Sequence, residues 1–375
     1  MTVPDIPSLP GVLGADEVRA TAASIARVQQ PDGAVPWFPG GHVDPWDHVE
    51  CAMALLVGGE PEAAERAYGW LFSTQRPDGS WPIRVSGGVV EDAAADANMC
   101  GYVAVGVWHH WLVRRDEGFL VRAWPSVRRA LDFVTGLQRP FGGVGWALNR
   151  YGIVDEEALV AASSSIHQAL GCGVALSEVV GEPQPEWELA AGRLGHAISV
   201  HEDRFAERGR YSMDWYYPVL GGALRGEEGR RRLAARWEEF VVPGLGIRCV
   251  DDRPWVTGAE TCELALALDT VGERDVALGL LSDMQHLRDA EGAYWTGYVF
   301  ADDARWPEER STWTAAAVVL AADALSGTTP GSDLFRGEGR RLRFAPLGLR
   351  CGCPVTDPSP DGVAGLPPHA DQHTH

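Results

Sequence analysis

The chain of 375 residues carries 52 acidic against 32 basic groups, and its net charge of −20 would repel a phosphate backbone or an anionic membrane surface. Hydrophobic residues make up 45% and charged residues 22%, an ordinary globular balance that excludes wholesale disorder. Every basic residue is Arg, which excludes a Schiff-base lysine, a pyridoxal-phosphate anchor and a P-loop lysine.

No stretch of eighteen apolar residues occurs, and Met1 to Pro10 lacks the layout of a signal peptide. The odd count of seven Cys, with Cys51, Cys100, Cys172 and Cys262 in apolar stretches, predicts reduced core thiols in a cytoplasmic protein. In chain order, residues 15–30 are apolar on one face only and end in Gln30-Pro31-Asp32-Gly33, with Trp37 beyond. Residues 47–58 are then apolar on every side. The one-faced segment 60–75 closes with Gln75-Arg76-Pro77-Asp78-Gly79-Ser80-Trp81, and 93–114 is again apolar throughout. Segment 118–138 ends in Gln138-Arg139-Pro140-Phe141-Gly142-Gly143 before the apolar run 157–179. The alternation continues through 185–206, 212–224, 226–241 and 257–270 to 272–286, where Gln285 precedes Asp289, Glu291, Gly292 and Trp295. It finishes with 309–325.

A helix apolar all round is buried all round, and a one-faced helix covers it. Gly and Pro in the recurring turn stop each outer helix. Six outer and six inner helices alternating in this way predict an all-α protein, an (α/α)6 toroid. An open solenoid would tolerate the same pattern, but six pairs fill a single core. Residues 1–326 are read as one catalytic toroid, and 327–375, rich in Gly, Pro and Arg, as an irregular and partly disordered tail.

The Gln–Asp–Gly–Trp turns resemble the repeats of terpenoid cyclase and protein prenyltransferase toroids, while the twelve-helix count resembles the six-hairpin glycosidases. The cyclase branch would need an Asp-x-Asp-Asp motif, and Cys249-Val250-Asp251-Asp252 lacks its first acid. Asp302-Asp303-Ala304-Arg305-Trp306 lacks the later acid of a magnesium-diphosphate helix, and no zinc-ligand spacing appears. No cofactor is implied.

The glycosidase branch needs two carboxylates in an aromatic cleft. Acids stand at the entrance of every inner helix: Asp44, Asp47 and Glu50, then Glu91, Asp92 and Asp96, then Asp155 and Glu156, then Asp214, Glu260, and finally Asp302, Asp303, Glu308 and Glu309. A carboxylate there can equally cap free N–H groups, and Asp155, Glu156, Glu308 and Glu309 are read so. Asp47, beside Trp46, and Glu260, among small and apolar neighbours, are the candidate catalytic pair. Glu260 is expected to be the acid and Asp47 the base that activates water. The resemblance to six-hairpin enzymes implies inversion. Sugar rings stack on aromatic faces, so Trp46, Trp215, Tyr216, Trp255, Trp295 and Trp306 are expected to bind substrate, with Asp96, Asp214 and Asp302 holding hydroxyls. The expected activity is hydrolysis within an α-linked oligo- or polysaccharide of α-mannan or α-glucan type. A cyclase- or prenyltransferase-like enzyme with atypical acids and a non-catalytic carbohydrate-binding toroid remain the alternatives. The only partner implied is the saccharide, with no nucleic acid or membrane, and the oligomeric state stays open.

Overall fold

The computed structural model describes residues 5–337, in which helices alternate between a covering and a buried position. In chain order these are α1 (Ala15–Val28), α2 (Pro45–Val57), α3 (Pro61–Thr74), α4 (Ala97–Gly101), α5 (Val103–Arg114), α6 (Glu117–Gly136) and α7 (Val160–Val180). There follow α8 (Pro185–Val200), α9 (Ser212–Leu220), α10 (Gly226–Ala235), α11 (Trp237–Phe240), α12 (Gly258–Thr270), α13 (Arg274–Asp283) and α14 (Thr312–Ser326). The inner helices α2, α12 and α14 are buried at nearly every position. Neighbouring inner helices pack in the order α2, α5, α7, α9, α12, α14, and α14 packs back on α2, so the cycle of contacts closes. The outer helix α1 lies against both α14 and α2 at this closure.

The expected helices differ from the observed ones mainly at four places, the first being the fourth outer helix, expected to 206 but ending at Val200. The second inner helix is broken at Tyr102 into α4 and α5, and the fifth outer helix is broken at Arg236 into α10 and α11. Helix α9 stops at Leu220, short of the expected 224, because Pro218 removes a backbone donor and Gly221 and Gly222 follow. Short strands, which the periodicity does not predict, occupy the connections. The largest group is a five-stranded antiparallel sheet of Val241–Val242, Gly246–Arg248, Trp255–Thr257, Gly297–Val299 and Ala304–Arg305, in that order. Pairing satisfies the backbone groups of these long connections.

The recurring turns lock the outer layer. Gln75 donates from Nε2 to Gly79 O (2.9 Å) and to Ser126 O of α6 (2.9 Å). Gln138 does the same to Gly142 O and to Ala190 O of α8. In the first turn the bridging residue is Gln29, one place before the Gln30 read from sequence, and it reaches Gly33 O and Ala63 O of α3. The glycines Gly33, Gly79 and Gly142 have φ of 100°, 93° and 107°. A Cβ on them would stand 2.3, 2.1 and 2.5 Å from the carbonyl oxygens of Arg66, Arg129 and Arg193 on the next outer helix. Gly292 makes the fourth such approach, against Ala20 of α1, with Arg288 in the Gln position reaching Glu17 O. The motif is thus a packing device that carries each outer helix onto the next.

Beyond α14 the chain stays attached as far as Gly337. Thr329 donates to Asp323 (2.6 Å), Arg336 pairs with Asp269 and Asp333, and Leu334 and Phe335 are buried. The rest of the expected 327–375 tail lies outside the described residues.

Candidate active site

The inner helices all begin on one rim, and their third residues are Asp47, Met99, Ala162, Asp214, Glu260 and Thr314. Four of these, Asp47, Met99, Ala162 and Asp214, line a cavity of about 390 Å³. Its walls differ in character. The arc from α14 and α2 contributes Trp313, Trp37, His42, Asp44, Trp46 and Asp47, whereas that from α4, α7 and α9 contributes Met99, Leu159 and Met213, with Ile83 beside them. Asp96, Asn98, Ala161, Tyr211, Asp214, Arg84 and Arg208 complete the lining, so polar groups edge the methionine arc as well. A second cavity, of about 540 Å³, shares Arg208 and Asp214 with the first and extends over Glu202, Trp215 and Arg232.

Helix α2 is fixed by its own sequence. Pro45 is preset for a first turn, and Asp44 Oδ1 accepts from Asp47 N at 3.0 Å. His48 then accepts from Val35 N (3.1 Å) on one ring nitrogen and bonds Ala67 O (2.8 Å) with the other, tying α2 to the first turn and to α3. Burial lowers the pKa of this imidazole to about 4, so it is a neutral strut. Its neighbour Asp47 is held in the cavity wall, and its carboxyl is pushed well above the usual range. Burial is the first cause, followed by the charge of Asp44, a hydrogen bond to Asp44, and the charges of Glu50 and Glu263.

One turn deeper, about 4.5 Å along the helices, Glu50 and Glu263 repeat the arrangement of Asp47 and Glu260. Tyr102 donates to Glu50 at 2.9 Å, Tyr217 donates to Glu263 at 2.6 Å, and Tyr216 donates to the other Glu263 oxygen. Burial pushes Glu50 up to about 7, against the nearby Trp46, Tyr102 and Trp313 donors that favour its charge. Burial and the Glu50 charge push Glu263 well above the ordinary carboxylate range. The same tyrosines brace the wall: Trp46 packs on Tyr102 at 5.0 Å and edge-on to Tyr217 at 5.8 Å.

Of the residues expected from sequence, Trp46, Asp47, Asp96 and Asp214 meet in the first cavity. Asp96 caps α4 through Asn98 N and Met99 N, and Asp214 reaches across to Ala161 N of α7 at 3.1 Å. Burial pushes each of these two carboxyls up to about 6. Glu260 is not on the cavity wall. It is buried, its carboxyl raised by burial, with the Thr257 hydroxyl and the Cys249 thiol favouring its charge.

The other expected binding residues lie elsewhere. Trp215 is buried with its indole donating to Arg232 O, at the second cavity, and Tyr216 is spent on Glu263. Trp255 and Trp306 pack edge to face on the five-stranded sheet at 4.9 Å. Trp295 lies under Arg305 and Arg310, and Asp302 is exposed beyond the sheet. Strand pairing at Trp255 and the loops flanking the sheet at Trp295 and Trp306 place these three aromatics away from the cavity. Trp313 and Glu309 are the converse. Trp313, which the sequence does not single out within the apolar segment 309–325, lines the cavity. Glu309, read as a cap, accepts from Trp37 Nε1 at 2.6 Å and so positions a wall of the cavity. The one signal for them is an indole next to the rim acids, which spacing alone does not separate from packing.

Carboxylates and indoles meet in one cavity at the starts of the inner helices, and known proteins share the fold. Solved structures with the same fold include a glycosidase in complex with glucose (TM-score 0.63, 16% identical, covering 84% of this chain and 97% of that one). Another is the GH63 mannosylglycerate hydrolase of Thermus thermophilus (TM-score 0.62, 15% identical, 80% and 99%). A D-mannose isomerase also shares it (TM-score 0.60, 12% identical, 82% and 96%), so the fold alone does not choose the reaction. No family model matches the chain. A curated relative from Mycolicibacterium hassiacum, MMP endo-(1,4)-3-O-methyl-alpha-D-mannosidase, is 58% identical over 332 residues, covering 88% of this chain and 92% of that one. The chain belongs to the family of that mannosidase and is a glycoside hydrolase acting on an α-linked substrate.

Proposed function

We propose that this protein is an (α/α)6 toroid that cuts within an α-1,4-linked, 3-O-methylated mannan, using Asp47 and Glu260 as its acid and base. The observation that carries the reading is Asp47, a buried carboxyl on the wall of an aromatic cavity, its pKa pushed well up by burial and by the acids around it. The 58% identical relative supports the substrate. The two adjoining cavities, which share Arg208 and Asp214, support cutting within a chain, because a chain lying across both would have sugars on both sides of a bond.

The electrostatics favour exchanging the roles expected from sequence. Burial raises both carboxyls, but three neighbouring carboxylates further oppose a charge on Asp47, whereas a hydroxyl and a thiol partly offset the burial of Glu260. In this reading protonated Asp47 gives its proton to the glycosidic oxygen as the C–O bond breaks. Glu260, which does not line the cavity in this structure, would need to reach it to take a proton from the water whose oxygen bonds to the anomeric carbon. The product is then inverted.

The test is hydrolysis of an α-1,4-linked 3-O-methylmannan of defined length, followed by product size and by proton NMR of the new anomer. Release of internal fragments bearing a β-anomer is expected. Single sugars only would overturn cutting within the chain, an initial α-anomer would overturn inversion, and binding without turnover would favour a carbohydrate-binding protein.

A further inference from the structure

Met99 sits at the third position of α4, the place that Asp47 holds in α2 and Glu260 in α12. Met213 is the second residue of α9, just before Asp214. First turns of helices favour acids and polar caps, because their free N–H groups and dipole are positive there. Both methionines nevertheless stand half-exposed on the cavity, as do Leu159 at the entrance of α7 and Ile83 beside them. The chain holds only five Met in all, so two at one mouth is a concentration. The facing arc carries Asp44, Asp47 and His42 among its indoles. One side of a bound sugar would therefore meet mainly donors and acceptors, and the other an apolar patch of Met99, Leu159, Met213 and Ile83 edged by Asp96, Asn98 and Asp214.

Resting on the function proposed above, we propose that Met99, Leu159 and Met213, with Ile83, form the pocket for the substrate's O-methyl group and set the preference for a 3-O-methylated sugar over one with a free 3-hydroxyl. A free hydroxyl pressed on the four apolar side chains themselves loses its water and gains no strong partner from them, which is costly. A methyl ether in the same place removes apolar surface from water and leaves no donor unpaired. Thioether side chains suit this task, since unbranched Met adapts its shape to a small apolar group.

The experiment compares kcat/KM on two α-1,4-linked mannose oligosaccharides of equal length, identical except for 3-O-methylation. Wild type is expected to prefer the methylated one by roughly 10–200-fold, the range one methyl group carries in an apolar pocket. Met99→Gln and Met213→Gln place an amide of similar length on the arc. Each should narrow that ratio severalfold, with the loss on the methylated substrate falling on KM more than on kcat. Met99→Leu should keep the preference. Equal cleavage of both substrates by wild type overturns the methyl pocket and leaves the hydrolase reading standing, and this comparison needs no variant to fold. An unchanged ratio in both Gln variants, with their melting temperatures near wild type, also overturns it. Cleavage of neither substrate sinks the proposed function, and the pocket with it.

Discussion

Each connection from an outer to an inner helix has a peripheral half and a central half, and the two use the same residue types for opposite ends. At the periphery, Asp32, Asp78 and Asp289 accept from backbone N–H groups two residues on, at 3.1, 3.0 and 2.9 Å. The Asp32 and Asp78 side chains stand in water, and their turns join outer helices. At the centre, Asp47, Glu50 and Glu263 have lost their water, and each sits in the field of the others. A carboxylate in water beside an N–H group is structural, and one buried beside other carboxylates is reactive. Burial and charge proximity, more than local sequence, separate the two.

The largest test of this contrast is catalytic. Asp47→Asn and Glu260→Gln should each lower kcat by about 10²–10⁴-fold, while Asp78→Asn, the same chemical change at the periphery, should leave kcat near wild type. Asp96→Asn and Asp214→Asn belong in the same series. Near-normal kcat in Asp47→Asn, beside loss in Asp214→Asn, would move the acid to the shared edge of the two cavities.

Next comes stability at the periphery. Gly79→Ala places a Cβ 2.1 Å from Arg129 O at a φ of +93°, and should cost at least about 1–3 kcal/mol. Gly87, at φ +55° with nothing within 4 Å, supplies the control in which only backbone strain is felt. Thermal melts should rank wild type, then Gly87→Ala, then Gly79→Ala, with the kcat of both folded variants unaltered. A melt for Gly79→Ala as high as that for Gly87→Ala would mean that the turn does not lock the outer layer.

The central acids should appear in the pH dependence of stability. Glu50 has a pKa of about 7 when folded against an ordinary value of 4.5, so the folded state holds a proton that the unfolded chain has released. Its contribution is complete below the unfolded value and is lost as pH rises through the folded one. Asp96 and Asp214, each at about 6 against 3.8, act in the same direction. The melting temperature should therefore fall between about pH 4.5 and 7, and Glu50→Gln should flatten that fall. A fall of undiminished steepness in Glu50→Gln would assign it to other groups.

The smallest effect is expected at Trp306, which is 54% exposed and packed on the strand connection away from both cavities. Trp306→Ala should leave kcat/KM on the methylated oligosaccharide within about twofold, within the small effects usual for surface substitutions. A tenfold loss would restore this aromatic to the substrate path.

The alternation of one-faced and all-apolar segments, and the Gly at each turn, were enough to place nearly every helix within a few residues. Those patterns follow from burial and backbone sterics, which act locally. The acid at the start of α2 was legible for the same reason, because Asp44-Pro45-Trp46-Asp47 states its own cap and first turn. What the rim loops do after the turn was not legible. Strand pairing and the loops flanking the sheet carried Trp255, Trp295 and Trp306 off the cavity, while ring closure brought Trp313 and Glu309 to it from the far end of the chain. Glu50 and Glu263 stood in plain view in the sequence, but nothing local says that they share one buried tier with Asp47. Local sequence determined the helices and their order. The closed tertiary packing decided which carboxyls lose their water and face one another, because desolvation and charge proximity exist only between parts of the chain that the fold brings together.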